Sequence, residues 1–235
     1  MPDFGMTYAP TTFNIGFLEI DLDAVVKTFT SWIRQLHHTV HVVDASGEVS
    51  AVIASLEPLT MPPRRSLWLR TRSLWTAYVD NSILGTDALS SISYLSKLLG
   101  CRGVILSRVP HTLQNDADRN RGTYGAVQFE MYGPSSDDPL ECVRSVGVTF
   151  DGGRWYFDQS GSVQPFEEVD RYKSQRIVDR LTPEMLDRYA FSLGIDAFNE
   201  MFYTGDARLV SYANPANAPA RQCSLAEARR DFGLA

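Results

Sequence analysis

The groups in this 235-residue chain that could carry chemistry are its histidines, its cysteines and a scatter of carboxylates. His37 and His41 lie four apart and would share one face of a helix, the spacing of some paired metal ligands. The apolar helical pattern stops at Leu36, however, and no carboxylate or thiol follows until Asp44. A polar exit turn is therefore the preferred reading, and no metal or cofactor is expected. Cys101 precedes Arg102, whose charge would favour the thiolate, and His111 is the histidine that could return to it as a base. Against this stands the ordinary use of a cysteine as a small apolar residue at a strand start. A carboxylate pair for glycoside or phosphodiester cleavage could be drawn from Asp80, Asp87, Glu130, Asp137 and Asp151. The HExxH, GxSxG, Walker and GxGxxG patterns are absent.

Asp80-Asn81 followed by Gly85-Thr86-Asp87 reads as a strand end, a loop and a helix start, an arrangement able to hold an anion. The Asp87 carboxylate would compete for the same N–H donors, so capping by Thr86 or Asp87 is preferred. Trp68, Arg70 and Arg72 alternate along one probable strand and so share a side. Trp and Arg are frequent interface anchors, which makes these three a candidate docking surface; packing in the core is the competing reading.

Charge is distributed unevenly. The chain holds 22 Lys and Arg against 28 Asp and Glu, a net charge of −6. A mildly acidic chain has no general field for phosphate backbones, so nucleic-acid binding is not expected. Residues 61–111 form a basic block, with Arg64, Arg65, Arg70, Arg72, Lys97, Arg102 and Arg108 against two carboxylates. The following stretch is acidic, with Asp116, Asp118, Asp137, Asp138 and Glu141 in polar loop sequence. The two blocks could pair with each other, or the acidic loops could dock a basic protein.

These groups are carried on elements that the apolar pattern outlines. Asn14 to Ile20 reads as a strand, and Leu22 to Leu36 as a helix capped by Asp21 or Asp23. Val40–Val43 and Val49–Leu56 read as a hairpin about Asp44-Ala45-Ser46-Gly47. Ser66–Arg72 and Leu74–Asp80 are strands. A helix with Leu89, Ile92, Leu95, Leu98 and Leu99 inward follows, closed by Gly100, and Cys101–Val109 is a strand. Tyr124–Tyr132 and Glu141–Phe150 continue the sheet, and Asp151-Gly152 turns it into Gly153–Gln159. Helices are expected at Glu167–Leu181, from Thr182-Pro183-Glu184 to Leu193, at Asp196–Tyr203 and after the Ser224–Glu227 capping box. The expected fold class is α+β: mostly antiparallel sheet packed against helices, with a helical C-terminal part. Residues 1–212 are read as a single domain and 213–235 as a linker-like segment with a short terminal helix.

No apolar run reaches the roughly 18–20 residues needed to span a bilayer. The start lacks the basic and apolar regions of a secretory signal, and three widely spaced cysteines read as reduced thiols, so a cytoplasmic location is expected.

The segments Trp75-Thr76-Ala77-Tyr78-Val79-Asp80-Asn81, Gly85-Thr86-Asp87, Leu99-Gly100-Cys101-Arg102-Gly103, Asp151-Gly152-Gly153-Arg154-Trp155 and Gln164-Pro165-Phe166-Glu167-Glu168 punctuate this pattern. With its size, acidity and lack of catalytic signatures, the chain resembles the immunity proteins of bacterial polymorphic-toxin and contact-dependent-inhibition systems. That resemblance implies a non-enzymatic binding protein that blocks a cognate toxin by occluding its active site. The alternative is a small hydrolase using carboxylates near Asp80, Asp87 and Glu130, or the Cys101–His111 pair. The first reading places partner contacts at Asp116, Asp118, Asp137, Asp138, Glu141, Trp68, Arg70 and Arg72.

Overall fold

Alternation of apolar residues along a strand settles which side chains share a face, and in this chain both faces of one sheet are covered. The computed structural model describes residues 3–36, 39–113, 122–134, 142–213 and 221–234. In chain order the elements are α1 (Phe4–Thr7), β1 (Asn14–Leu18), α2 (Leu22–Gln35), β2 (Thr39–Asp44), α3 (Val49–Ala54), β3 (Leu59–Met61), β4 (Arg65–Thr71) and β5 (Thr76–Asp80). Then come α4 (Leu89–Leu99), β6 (Gly103–Val109), β7 (Ala126–Tyr132), β8 (Cys142–Phe150), β9 (Trp155–Gly161), α5 (Pro183–Ser192), β10 (Tyr203–Ala213), β11 (Arg221–Cys223) and α6 (Leu225–Asp231). The protein is α+β. Among the described residues a nine-stranded antiparallel sheet runs β2-β10-β4-β5-β1-β6-β7-β8-β9, and β11 pairs with β3 apart from it.

Alternate residues of the central strands (Ile15, Phe17, Leu67, Leu69, Ala77, Val79, Val104, Leu106, Phe129) face a core shared with α3 and α5. The other face carries Leu18, Trp68, Tyr78, Ile105 and Tyr132 against α2 and α4. Helix α2 follows its predicted stripe, burying Leu22, Val25, Val26, Phe29 and Ile33, with the Asp21 carboxylate accepting from Asp23 N. Helix α4 approaches the sheet where two residues lack side chains. A Cβ on Gly16 would lie 2.5 Å from Ile92 Cγ1, and one on Gly103 would lie 2.8 Å from Ile92 Cγ2. Gly100 closes α4 in the left-handed conformation at φ 61°.

Several expectations are corrected. Val49–Ala54 is a helix, because Val52, Ile53 and Leu56 meet the sheet from one helical face. A short apolar run does not itself choose between the two periods. The Glu167–Leu181 stretch forms only 3-10 turns at Arg171–Lys173 and Ile177–Asp179, and Asp196–Tyr203 only the turn Glu200–Phe202. Neither Thr86 nor Asp87 caps α4: Thr86 Oγ1 accepts from Asp80 N and donates to Thr11 O. Leu89 and Leu98 point outward, leaving Ile92 and Leu95 as the buried stripe. Strand β10, unanticipated by the sequence reading, links β2 to β4.

The C-terminal helix is tied to the N-terminal segment. Arg229 donates to the carbonyls of Met6, Thr7 and Ala9, and Phe232 meets Phe13 edge-on at 5.8 Å. Among the described residues no helix is long and apolar enough to cross a membrane.

Candidate functional site

A polar cavity lies where the end of β6 meets α5 and the loop that follows it. Its volume is about 440 Å³. Four carboxylates line it (Asp3, Glu184, Asp187 and Asp196), with Arg108, Phe198 and Asn199. Local sequence places each of them. Thr182 accepts from Met185 N and Pro183 occupies the first turn, which fixes the start of α5. Glu184 and Asp187, three apart, then share a helical face. Asp3 caps α1 by accepting from Met6 N, and Phe4 N donates to Phe198 O, which brings the N-terminal segment to the 195–199 loop. Asn199 Nδ2 donates to Asp196 Oδ2 at 2.8 Å.

One guanidinium answers these acids. Arg108 NH2 is 3.0 Å from Asp3 Oδ2, and its guanidinium carbon lies 5.0 Å from the centre of the Phe198 ring. Among the described residues, Asp187 Oδ1 is buried without a hydrogen bond. Burial pushes the Asp187 carboxyl up, although Arg108 opposes this; the hydroxyl of Thr182 holds the Glu184 carboxyl down. The arrangement suits a cation with N–H donors, because a buried acceptor gains most from a charged donor. Among the described residues no group of three or more His, Cys, Asp or Glu is placed to hold a metal ion.

The residues singled out from sequence fall elsewhere. Asp116, Asp118, Asp137, Asp138 and Glu141 lie outside the described residues, as does His37. Trp68 is wholly buried, with ring centroids 5.3 Å from Phe29 and 4.6 Å from Tyr78, so it is corrected from a docking residue to a core residue. Arg70 bridges Asp21 and Asp206 at 2.7 Å each, and Arg72 Nε donates to Met201 O. Arg102 pairs with Glu19 and Arg108 with Asp3. The described ion pairs of the basic block thus reach into residues 1–60 and to Asp206.

The hydrolase constellations do not assemble. Asp80 is on β5 and Glu130 on β7, three strand steps apart, which is about 14 Å at ordinary strand spacing. That exceeds the roughly 5–10 Å between working glycosidase carboxylates. Asp80 accepts from Ser82 N, Asp87 N and the Tyr78 hydroxyl and serves its own loop. Burial nevertheless pushes its carboxyl up to about 7. Asp87 lines one small cavity with Asp80 and a second with Glu130, without drawing all three together. Cys101 and His111 stand beyond opposite ends of seven-residue β6, a strand about 20 Å long. Burial raises the Cys101 thiol to about 11, the reverse of activation, and His111 Nδ1 accepts from Gly125 N beside Phe150 and Trp155. His41 sits on exposed β2 opposite Ser211.

Comparison with protein-family models, curated proteins and solved structures found no match to this chain.

The cavity around Asp187 escaped the sequence reading because its residues come from four separated stretches. The signal that was present is Thr182-Pro183-Glu184 with a second acid one helical turn later, on the polar side of the stripe formed by Leu186, Tyr189 and Ala190.

Proposed function

We propose that this chain is a non-enzymatic binding protein whose acidic cavity receives a basic side chain of a partner protein. The observation that carries the reading is Asp187 Oδ1, buried and without a hydrogen bond in a cavity where four carboxylates face one guanidinium. An unsatisfied buried acceptor costs about 1–3 kcal/mol in the free protein. A Lys or Arg of the partner would return that cost and reduce the cavity's excess of negative charge. Arginine suits the site better than lysine, since its planar fork can engage Asp187 and Asp196 together.

In its finer form, the partner is a toxin whose basic active-site cleft is covered, as the resemblance to immunity proteins implies. Net charge of −6 would speed encounter with such a partner, and the buried contact would slow release. The experiment is co-expression with the product of the neighbouring gene, read by co-purification and by growth. Stable co-purification with restored growth is expected, together with loss of both in Asp187→Ala/Asp196→Ala. Toxicity unaffected by the wild-type chain would overturn the toxin reading. Retained capture by the double variant would overturn the cavity's role.

A further inference from the structure

Among the described residues the sheet ends on β2 at one side and on β9 at the other. Natural sheets blunt such edges with charge, proline, bulges or a covering segment, because unpaired backbone groups invite another strand. The β9 edge carries Asp158, and residues 171–180 pack on that strand, with Tyr172 5.2 Å from Phe157 and Arg180 over the same ring. Strand β2 (Thr39-Val40-His41-Val42-Val43-Asp44) contains no lysine or proline. All its residues are exposed except half-buried Val40.

Which backbone groups of β2 face outward follows from the ladder. Tyr212 N donates to Arg64 O on the β4 side, so by alternation Val210 and Arg208 also turn toward β4. Leu209 and Ser211 therefore bond across to Val43 and His41, their register partners on β2. Ala45 N, donating to Ala207 O, continues the same parity. Val40, Val42 and Asp44 are left with N–H and C=O directed away from the sheet.

We propose that β2 pairs antiparallel with β2 of a second copy of this chain, about a two-fold axis at Val42. In that register Val42 exchanges both backbone groups with Val42 of the second copy, and Val40 does the same with Asp44. Side chains meet as Val42 with Val42, His41 with Val43 and Val40 with Asp44, so no like charges face each other. A stranger strand would need a matching pattern, whereas this one carries its own complement. Two guanidiniums offset half of the four carboxylates beside this edge and so reduce repulsion between copies: Arg208 lies 3.8 Å from Asp44, 2.7 Å from Asp206 and 3.5 Å from Asp23, and Arg70 joins Asp21 to Asp206. Exposed Leu36, at the end of α2, and Val43 add apolar area beside the paired strands.

The test is the mass of the full chain in solution across a range from low to high micromolar. The expected mass rises from 26.3 kDa toward twice that value with concentration. Val42→Lys places two like charges opposite each other and is expected to weaken the dimer at least roughly ten-fold. Hydrogen exchange on the unmodified chain gives a second readout: residues 39–44 should gain protection as the dimer forms. A single-chain mass at every concentration overturns the proposal. So does a dimer that survives Val42→Lys with native circular dichroism, or one that leaves exchange at 39–44 unchanged.

Discussion

At the residue scale, Asp80 and Arg144 are two buried charges met in different ways. Asp80 is 1% exposed, and burial outweighs the two backbone N–H donors that favour its anion. Its carboxyl moves from 3.8 to about 7, so the folded state holds the proton that the unfolded chain has released. Stability from this group is complete below pH 4 and is lost as pH rises toward 7, a change on the order of 4 kcal/mol. Asp80→Asn is expected to flatten the decline of the urea midpoint between pH 4 and 7; an unchanged slope would show that Asp80 does not cause it. Arg144 is met by a full partner. Its Nε and NH2 donate to the two oxygens of Glu167 at 2.9 and 2.6 Å, and both side chains are nearly inaccessible. Glu167→Gln leaves a buried guanidinium without its counter-charge and should cost about 3–5 kcal/mol in urea unfolding. The apolar double variant Arg144→Met/Glu167→Leu should cost less than the two single changes added together. The alternation around Trp68 was legible in sequence. Its burial was not, because alternation assigns a side chain to a face without saying whether helices cover that face.

Elements were legible where one signal dominated. Helix α2 shows a long stripe with an Asp cap, α4 ends on a glycine, and β8 and β9 turn at Asp151-Gly152. They were misread where tertiary contact chose between periods. Val49–Ala54 could satisfy either a strand or a helix until β10 lay beneath it, and β10 itself is interrupted by Gly205 and Asp206, which disguise its apolar alternation. The seat of α4 shows how little room such contacts leave. Ile92 rests on the bare backbone of Gly16 and Gly103, where an added Cβ must displace its side chain. Gly16→Ala is expected to destabilise by about 1–3 kcal/mol, the usual cost of overpacking. Ile92→Val removes part of the obstruction, so the pair should be less unstable than the two changes summed. Denaturant midpoints of the four proteins in this cycle decide the matter, and strict additivity would mean that Ile92 is not the obstacle.

Among the described residues, charge is gathered into a linked ion-pair network and into one cavity where carboxylates outnumber guanidiniums four to one. Arg70 and Arg208 bridge Asp21, Asp23, Asp44 and Asp206 on one side of the sheet, two guanidiniums to four carboxylates, whereas Arg108 stands alone among the cavity's four carboxylates. No window of sequence contains that excess, because residues 3, 108, 184–187 and 196 meet only after the strands have paired. The excess makes the proposed binding separable into two kinetic parts. Glu184 is exposed at the mouth and acts at a distance, so Glu184→Gln should slow association and reduce its dependence on salt while leaving release nearly unchanged. Asp187 offers a buried oxygen, so Asp187→Asn should speed release, at a cost of about 2–5 kcal/mol in affinity, with little change in association. Surface-based kinetics with the co-purified partner at two salt concentrations measure both effects. If the two variants shift the same rate by the same factor, the cavity works as a diffuse acidic patch and no side chain of the partner enters it.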